Sequence, residues 1–159
     1  MIFVSVGTQD KSFTRLLELI DKEIDKGFIN DEVIVQSGYT KYSSKNMKIL
    51  DYVSKDDFNN YIKTCDLLIT HGGVGTIFTG LENNKKIMVM PRLKEYKEHN
   101  NDHQLDILQS FEDAGYILGF NNEEEFEEKY KMLDNFKVKK YESNTLNMIN
   151  LVKDFINNN

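Results

Sequence analysis

The residues best suited to chemistry in this chain form a glycine-rich turn at positions 71–76, with the sequence HGGVGT. Three of the four residues 72–75 are glycines, which remove the side chains that would keep a ligand away from the backbone. A short helical pattern follows, so the turn would offer backbone N–H groups and the positive end of a helix dipole. His71, at the start of the turn, can donate a hydrogen bond to an anion. The turn therefore predicts a site for a phosphate-bearing small molecule.

A second polar stretch, Glu98–Gln104, lies between a proline and an apolar-faced helical pattern. Taken alone, it is typical of a hydrophilic loop in which Asp102 caps the following helix. A metal site built from His99 and His103 is a further alternative, but no third ligand recurs at a suitable spacing, and we predict no metal. We prefer a third interpretation, in which Gln104 and its neighbours bind sugar hydroxyls, because such hydroxyls need short, directional polar side chains.

Strand and helix patterns alternate along the chain and would bring these two stretches together. Apolar runs predict strands at 2–6, 33–36, 47–53, 67–70, 87–90 and 116–118. Helical spacing of apolar residues predicts helices at 13–24, 54–62, 77–81, 102–114, 123–133 and about 142–157. The alternation predicts an α/β fold, a Rossmann-like doubly wound parallel sheet covered on both faces. We expect the last helix to pack on the sheet or to dock a partner.

In a doubly wound sheet, ligands bind outside the carboxyl ends of the strands. Polar and glycine residues follow five of the predicted strands: Gly7, Thr8, Ser37, Gly38, Tyr52, Val53, residues 71–76 and residues 91–104. Each turn alone is weak evidence, but five turns on one edge favour a binding site there. All three histidines of the chain lie in the last two of these turns.

Composition limits the class of protein. A chain of 159 residues, 40% hydrophobic and 29% charged, is typical of a single globular domain. The net charge of −6, without a basic run, argues against a nucleic-acid partner. The single cysteine, Cys65, excludes an internal disulfide and fits a reducing cytoplasm. Because no apolar stretch approaches the length that spans a bilayer, we expect membrane association only through a partner or a surface patch.

Four segments occur in an order that resembles a known family: MIFVSVGT at 1–8, HGGVGT at 71–76, VMPR at 89–92 and EHNNDHQ at 98–104. Over about residues 1–120 the chain resembles the glycosyltransferase family 28 C-terminal domain. The resemblance is greatest to the short bacterial members of capsule and exopolysaccharide synthesis. It extends to the catalytic subunit of the eukaryotic two-component UDP-N-acetylglucosamine transferase, which acts on a dolichol-linked acceptor.

The resemblance implies that residues 1–159 are the donor half of a GT-B enzyme and bind UDP-galactose, UDP-glucose or UDP-N-acetylglucosamine. The implied reaction is an inverting transfer of the hexose to a lipid-linked acceptor, without an obligatory metal and without a cofactor. Since 159 residues cannot supply the second GT-B domain, the acceptor site would come from a membrane-associated partner chain. The protein would then lie in the cytoplasm, at the inner face of the membrane through that partner.

The resemblance also implies roles for individual residues. The nucleotide and its diphosphate would contact Gly7, Thr8, Ser37, Gly38, Val53, Gly72, Gly73, Val74, Gly75 and Thr76, with Val53 beside the uracil. The donor sugar would contact Asn101, Asp102, His103 and Gln104. We predict that His71 and His103 are the catalytic residues.

One position departs from the family pattern. Many relatives carry a glutamate eight residues after the histidine of the glycine turn, where it binds the ribose hydroxyls, and this chain has Thr79. Glu82 could substitute for it; otherwise we expect weaker binding of UDP. The alternative function is therefore a non-catalytic nucleotide-sugar-binding or partner-stabilising subunit. An NAD- or ATP-binding domain is less favoured, because the first turn lacks the G-x-G-x-x-G pattern and no Walker lysine is present.

Overall fold

The computed structural model describes residues 1–141, except for the side chain of His103. The described strands are β1 (Ile2–Ser5), β2 (Val33–Gln36), β3 (Lys48–Leu50), β4 (Leu67–Thr70), β5 (Lys86–Val89) and β6 (Leu118–Gly119). The described α-helices are α1 (Thr14–Asp25), α2 (Lys55–Thr64), α3 (Val74–Glu82), α4 (His103–Asp113) and α5 (Glu123–Met132). A 3₁₀ turn, Lys94–Tyr96, lies between β5 and α4. The helix predicted at about 142–157 lies outside the described residues.

The six strands form one parallel sheet in the order β3-β2-β1-β4-β5-β6. The first strand is central: Ser5, its last residue, pairs with Gln36 of β2 and with Thr70 of β4. The direction in which the chain crosses the sheet therefore reverses between β1 and β4. This reversal opens a crevice at the carboxyl ends of those two strands. The predicted Rossmann-like doubly wound sheet is confirmed.

Alternating side chains along the strands build a core on each face of the sheet. Val4 of β1 packs in one core with residues of α1 and α5, including Leu16 and Phe126. Phe3 points to the other face, where α2, α3 and α4 cover the sheet. Its ring stacks on Tyr61 of α2, with ring centroids 5.1 Å apart. Both faces are thus covered, as the apolar strand sequences predict.

The element boundaries show which local signals were reliable. Gly27 adopts a φ of +73° just after α1, as expected of a helix terminator. The Ser54 hydroxyl accepts a hydrogen bond of 3.0 Å from the Asp57 N–H and so caps α2, at the start of the helix predicted at 54–62. The third strand is shorter than the predicted 47–53, because it pairs only with β2 and ends where Leu50 meets Gln36.

The last described strand also differs from the prediction. The pattern at 116–118 predicts a strand there, but the Tyr116 N–H still bonds to the Phe111 carbonyl and completes the end of α4. The strand therefore begins only at Leu118 and pairs with β5 over two residues. Within residues 1–141, no helix is both long and apolar enough to cross a membrane.

Candidate functional site

A cavity of about 580 Å³ lies at the carboxyl ends of β1 and β4, where the direction of the sheet reverses. Its walls come from the turns after β1, β3 and β4, from the last residue of β2 and from helices α2 and α3. The lining residues are Gly7, Thr8, Gln36, Tyr52, Val53, Lys55, Phe58, Asn59, His71, Gly73, Gly75, Thr76 and Thr79. The cavity thus contains the first turn and the glycine-rich turn that the sequence singled out. We refer to it as the switch-point cavity.

The imidazole of His71 fits between two glycines. A Cβ on Gly7 would lie 2.5 Å from Cε1 of the ring, and a Cβ on Gly73 would lie 2.3 Å from Nε2. Gly7 also has a φ of +80°, which disfavours other residues. The two glycines are therefore required so that the ring can lie at the wall of the cavity.

The hydrogen bonds of His71 indicate the position of its proton. The Thr70 hydroxyl donates to the Ser5 carbonyl at 2.9 Å, so its oxygen is left to accept a proton from the ring. Nδ1 of His71 lies 3.3 Å from that oxygen and 3.5 Å from the Ser5 carbonyl. A proton on Nδ1 leaves a lone pair on Nε2. In this tautomer the neutral ring accepts a hydrogen bond from a ligand, and donation to an anion requires protonation.

The surroundings of His71 favour the neutral ring. Burial lowers the pKa of His71 to about 4, and the positive charge of Arg92 acts in the same direction. The bond to the Ser5 carbonyl opposes both effects without outweighing them. At neutral pH the ring is therefore uncharged.

This shift predicts how stability depends on pH. Because the folded pKa of about 4 lies below the unfolded value, the unfolded chain takes up the proton first as the pH falls. Acidification from neutral pH should therefore remove up to about 3 kcal/mol of stability between roughly pH 6.5 and pH 4. Urea unfolding at pH 7 and pH 4.5 measures the loss. The His71→Gln variant corrects for carboxyl titration and should lose less; equal losses in the two proteins would contradict the assignment.

The amino end of α3 is suited to an anion. Its N-cap is Gly73, which provides no side chain to bond the first N–H groups. The first described bond of the helix runs from the Ile77 N–H to the Gly73 carbonyl, which leaves the N–H groups of residues 74–76 for a ligand. A Cβ on Gly75 would meet nothing within 4 Å, so the space beside it is open. Gly75 and Thr76 line the cavity, whereas Val74 packs into the core.

The other end of the cavity is formed by the β3–α2 turn and by α2. Val53 lies there, as the sequence predicts, beside the exposed ring of Tyr52. Lys55, Phe58 and Asn59 line the same wall and were not predicted. The sequence did contain a signal for them. Ser54 caps α2, so Lys55, Phe58 and Asn59 fall in the first turns of that helix, at the carboxyl edge of the sheet.

Thr79, the departure from the family pattern, also lines the cavity. Its hydroxyl donates to the Gly75 carbonyl at 2.9 Å, within its own helix. Glu82, the possible substitute, is exposed and does not line the cavity. None of the described residues that line the cavity carries a carboxylate, so none of them replaces the glutamate of the family pattern.

Ser37 and Gly38 lie behind the first turn and do not line the cavity. The Ser37 N–H bonds to the Leu50 carbonyl at 2.8 Å, and its side chain is buried. A Cβ on Gly38 would lie 2.3 Å from the Gly7 carbonyl oxygen. These residues support the first turn from the neighbouring strand.

The predicted sugar-binding residues form a loop beside the glycine turn, outside the switch-point cavity. Gln104 packs on Gly72, since a Cβ on Gly72 would lie 2.7 Å from Oε1 of Gln104. The same Oε1 accepts a hydrogen bond of 3.3 Å from the Arg92 N–H. The Asp102 carboxylate accepts from the Lys94 N–H at 2.9 Å. It makes no cap bond to α4, contrary to one of the sequence alternatives, because the 3₁₀ turn occupies it.

The remaining predicted residues of this loop are described only in part. The Asn101 N–H bonds to Nδ1 of His99 at 3.3 Å. His103 begins α4, and its side chain lies outside the described part of the structure. Its predicted catalytic role therefore stays a prediction.

A group of charged residues beneath these loops was missed by sequence reasoning. Arg92 is fully buried, and Glu98 is nearly so. Glu98 forms a two-point ion pair with Arg15, with N–O distances of 3.0 and 2.8 Å. Arg92 and Glu98 lie in two of the segments that carry the family resemblance, VMPR and EHNNDHQ, but sequence reasoning gave neither residue a role.

Comparisons with known proteins agree with this architecture. The family model described as "Glycosyltransferase family 28 C-terminal domain" matches residues 1–158. The UDP-N-acetylglucosamine transferase subunit ALG13 of Candida albicans is 29% identical over 109 residues, which are 69% of this chain and 36% of that protein.

A second curated relative comes from Prochlorococcus marinus (strain MIT 9312). It is a UDP-N-acetylglucosamine--N-acetylmuramyl-(pentapeptide) pyrophosphoryl-undecaprenol N-acetylglucosamine transferase, 30% identical over 168 residues. The match covers 100% of this chain and 44% of the relative. The chain thus spans less than half the length of these two relatives.

Solved structures share the fold. The NMR structure of ALG13 has a TM-score of 0.59 at 18% identity, covering 95% of this chain and 93% of that one. The glycosyltransferase SnogD from Streptomyces nogalater has a TM-score of 0.54 at 22% identity, covering 84% of this chain and 35% of that one. The fold is that of the C-terminal half of a GT-B glycosyltransferase, and the chain belongs to the family of the glycosyltransferase family 28 C-terminal domain.

Proposed function

We propose that this chain is the UDP-sugar-binding donor half of an inverting hexosyltransferase. The observation that carries the proposal is the switch-point cavity, which joins the amino end of α3 to the β3–α2 turn. Its α3 end offers backbone N–H groups to a diphosphate, and its α2 end offers the ring and aliphatic surfaces of Phe58 and Val53 to a base. This combination suits a nucleoside diphosphate more than a single phosphate or an apolar ligand.

In the proposed reaction the acceptor oxygen attacks the anomeric carbon while the bond from that carbon to UDP breaks on the opposite face. The hydroxyl proton passes to a general base of the acceptor domain. Negative charge then grows on the diphosphate, and the N–H groups and dipole of α3 stabilise it. The backbone donors at residues 74–76 are already oriented, so little reorganisation is needed during transfer. The neutral ring of His71 accepts a hydrogen bond or, once protonated beside the diphosphate, donates one.

We further propose that the acceptor domain belongs to a membrane-associated partner chain. Support comes from one curated relative, ALG13 of Candida albicans, which is named as a transferase subunit. A lipid-linked acceptor in capsule or exopolysaccharide synthesis, at the inner face of the membrane, fits this arrangement. The donor would be UDP-galactose, UDP-glucose or UDP-N-acetylglucosamine, bound with residues 101–104 near its sugar.

Isothermal titration of the chain with UDP, ADP and GDP tests the proposal. We expect UDP to bind about tenfold more tightly than either purine nucleotide, because the proposed donor is a UDP-sugar and its base would pack against Val53 and Phe58. His71→Ala should weaken UDP binding about tenfold, since it removes a polar contact to a charged ligand. His99→Ala is the matched control and should bind as the parent does, because His99 does not line the cavity. A folded parent chain without preference for UDP would contradict the proposal.

A second function, a non-catalytic nucleotide-sugar-binding or partner-stabilising subunit, is favoured by one observation. The hydroxyl of Thr79 is bonded to its own helix, in the place where relatives carry a ribose-binding glutamate. Turnover of a UDP-sugar by the chain together with its partner distinguishes the two functions. Binding of UDP without any turnover in the complex would support the second.

A further inference from the structure

Arg92 is a buried cation whose described guanidinium hydrogen bonds go to backbone oxygens. Its guanidinium donates to the carbonyls of Val6 at 2.6 Å, Lys11 at 2.8 Å and Glu98 at 3.2 Å. The side chain is fully buried, and its charge lies 4.8 Å from the centre of the Phe13 ring. Such a site fixes the guanidinium in one position, because its three hydrogen-bond acceptors belong to the backbone.

The three carbonyls belong to two different loops. Those of Val6 and Lys11 lie in the β1–α1 turn, and that of Glu98 lies in the β5–α4 loop. The backbone of Arg92 reaches further, since its N–H bonds to Gln104, which packs on Gly72 of the glycine turn. One residue therefore connects the first turn, the glycine turn and the predicted sugar-binding loop.

The charge of Arg92 is not cancelled by an ion pair among the described residues. Glu98 is the acidic residue that acts on it, but the Glu98 carboxylate is held by Arg15 and by the Leu93 N–H. The Nε of Arg92 also lacks a hydrogen-bond partner among the described residues. Burial lowers the pKa of Arg92 to about 10, so the group stays protonated at neutral pH. Burying a charge without an ion pair is costly, and here three backbone carbonyls offset part of that cost.

This charge lies next to the switch-point cavity. Val6, which accepts the shortest of the three bonds, directly precedes Gly7 of the cavity wall. The positive charge of Arg92 also lowers the pKa of His71 in the glycine turn, after the larger effect of burial. A negatively charged ligand between these two turns would feel the same field.

We infer that Arg92 is a positioning residue for the donor diphosphate: it ties the three turns together and places a fixed positive charge beneath them, without contacting the ligand. The inference rests on the proposed function, since it concerns the same cavity. Loss of Arg92 should weaken binding of ligands that carry phosphates. The base should be unaffected, because the described hydrogen bonds of Arg92 reach neither α2 nor the β3–α2 turn, where the base would lie.

The test compares UDP with uridine, which lacks the diphosphate, by NMR titration of the full chain. In Arg92→Met the dissociation constant for UDP should rise about tenfold or more, while that for uridine should change less than about threefold. Lys85→Met is the matched control. Lys85 also donates to two backbone carbonyls, those of Lys63 and Cys65, but at the amino ends of the strands. Lys85→Met removes one positive charge, as Arg92→Met does, and should leave the dissociation constants for UDP and uridine unchanged.

The outcomes separate the two hypotheses. If the parent chain binds neither ligand, the proposed function fails whatever Arg92 does. If the parent binds UDP and Arg92→Met weakens UDP and uridine equally, or neither, the inference is overturned. The pKa of His71 in Arg92→Met gives a second readout: it should rise above about 4 but stay below its ordinary value, because burial, the larger cause of the shift, remains.

Arg92→Lys decides the matter if the methionine variant does not fold. Lysine keeps the charge but cannot bridge three carbonyls, so it should retain most of the UDP-over-uridine preference while losing thermal stability. If the preference for UDP over uridine falls by about tenfold in Arg92→Lys, as expected for Arg92→Met, the charge is not the cause.

Discussion

Replacing Gly73 with alanine is expected to weaken UDP binding about tenfold or more and to cost about 1–3 kcal/mol of folding stability. The new Cβ would lie 2.3 Å from Nε2 of His71, so the ring must leave the cavity wall. The backbone of Gly73, with φ −74° and ψ 114°, is one that alanine readily adopts. The effect therefore comes from the contact with the ring. Titration calorimetry and urea unfolding measure the two losses.

A double-mutant cycle isolates this contact. Replacing His71 with alanine removes the three atoms nearest to a Cβ at position 73, all of which belong to the imidazole ring. The pair His71→Ala and Gly73→Ala should therefore bind UDP no more weakly than His71→Ala alone. Additive losses would mean that Gly73 acts on the ligand directly rather than through the ring.

Gly38→Ala should destabilise the fold by about 3 kcal/mol, although Gly38 does not line the cavity. Two penalties combine at this position. The φ of +54° disfavours any residue with a Cβ, and that Cβ would lie 2.3 Å from the Gly7 carbonyl oxygen. Because the oxygen is part of the backbone, relief requires movement of the first turn. Thermal or urea unfolding gives the size of the loss.

Gly27→Ala is the matched control for this prediction. Gly27 has a comparable φ of +73°, but a Cβ there would meet nothing within 4 Å. It should cost only the conformational penalty, about 1 kcal/mol. If the two variants lose the same stability, the contact between the second and first turns is not important.

The sequence was sufficient to predict the sheet and the location of the cavity. Apolar runs and helical spacing depend on short stretches of chain, so they identified the strands and helices within a few residues. The carboxyl-end rule then brought Gly7, Val53 and His71 to one edge, where they line a single cavity. Their roles towards a nucleotide remain predictions.

Residues that depend on distant contacts could not be predicted in the same way. Periodicity identifies the apolar face of α2, but not that Lys55 and Asn59 face a cavity shared with α3. The loop after β5 is held by Arg15 and by Lys11, which bonds to Asn100 across 89 residues of sequence. Asp102 was available to cap α4 by every local criterion, yet the folded loop uses its carboxylate elsewhere.

Among the described residues, the whole wall of the switch-point cavity lies between Gly7 and Thr79. Arg92 and Gln104, which hold its turns, come later in the chain. During synthesis the wall therefore leaves the ribosome before the residues that fix it. A nascent chain that ends after α3 would contain every lining group without the bonds that set their spacing. The spacing of the wall is thus expected to depend on completion of the second half, which adds none of its described residues to that wall.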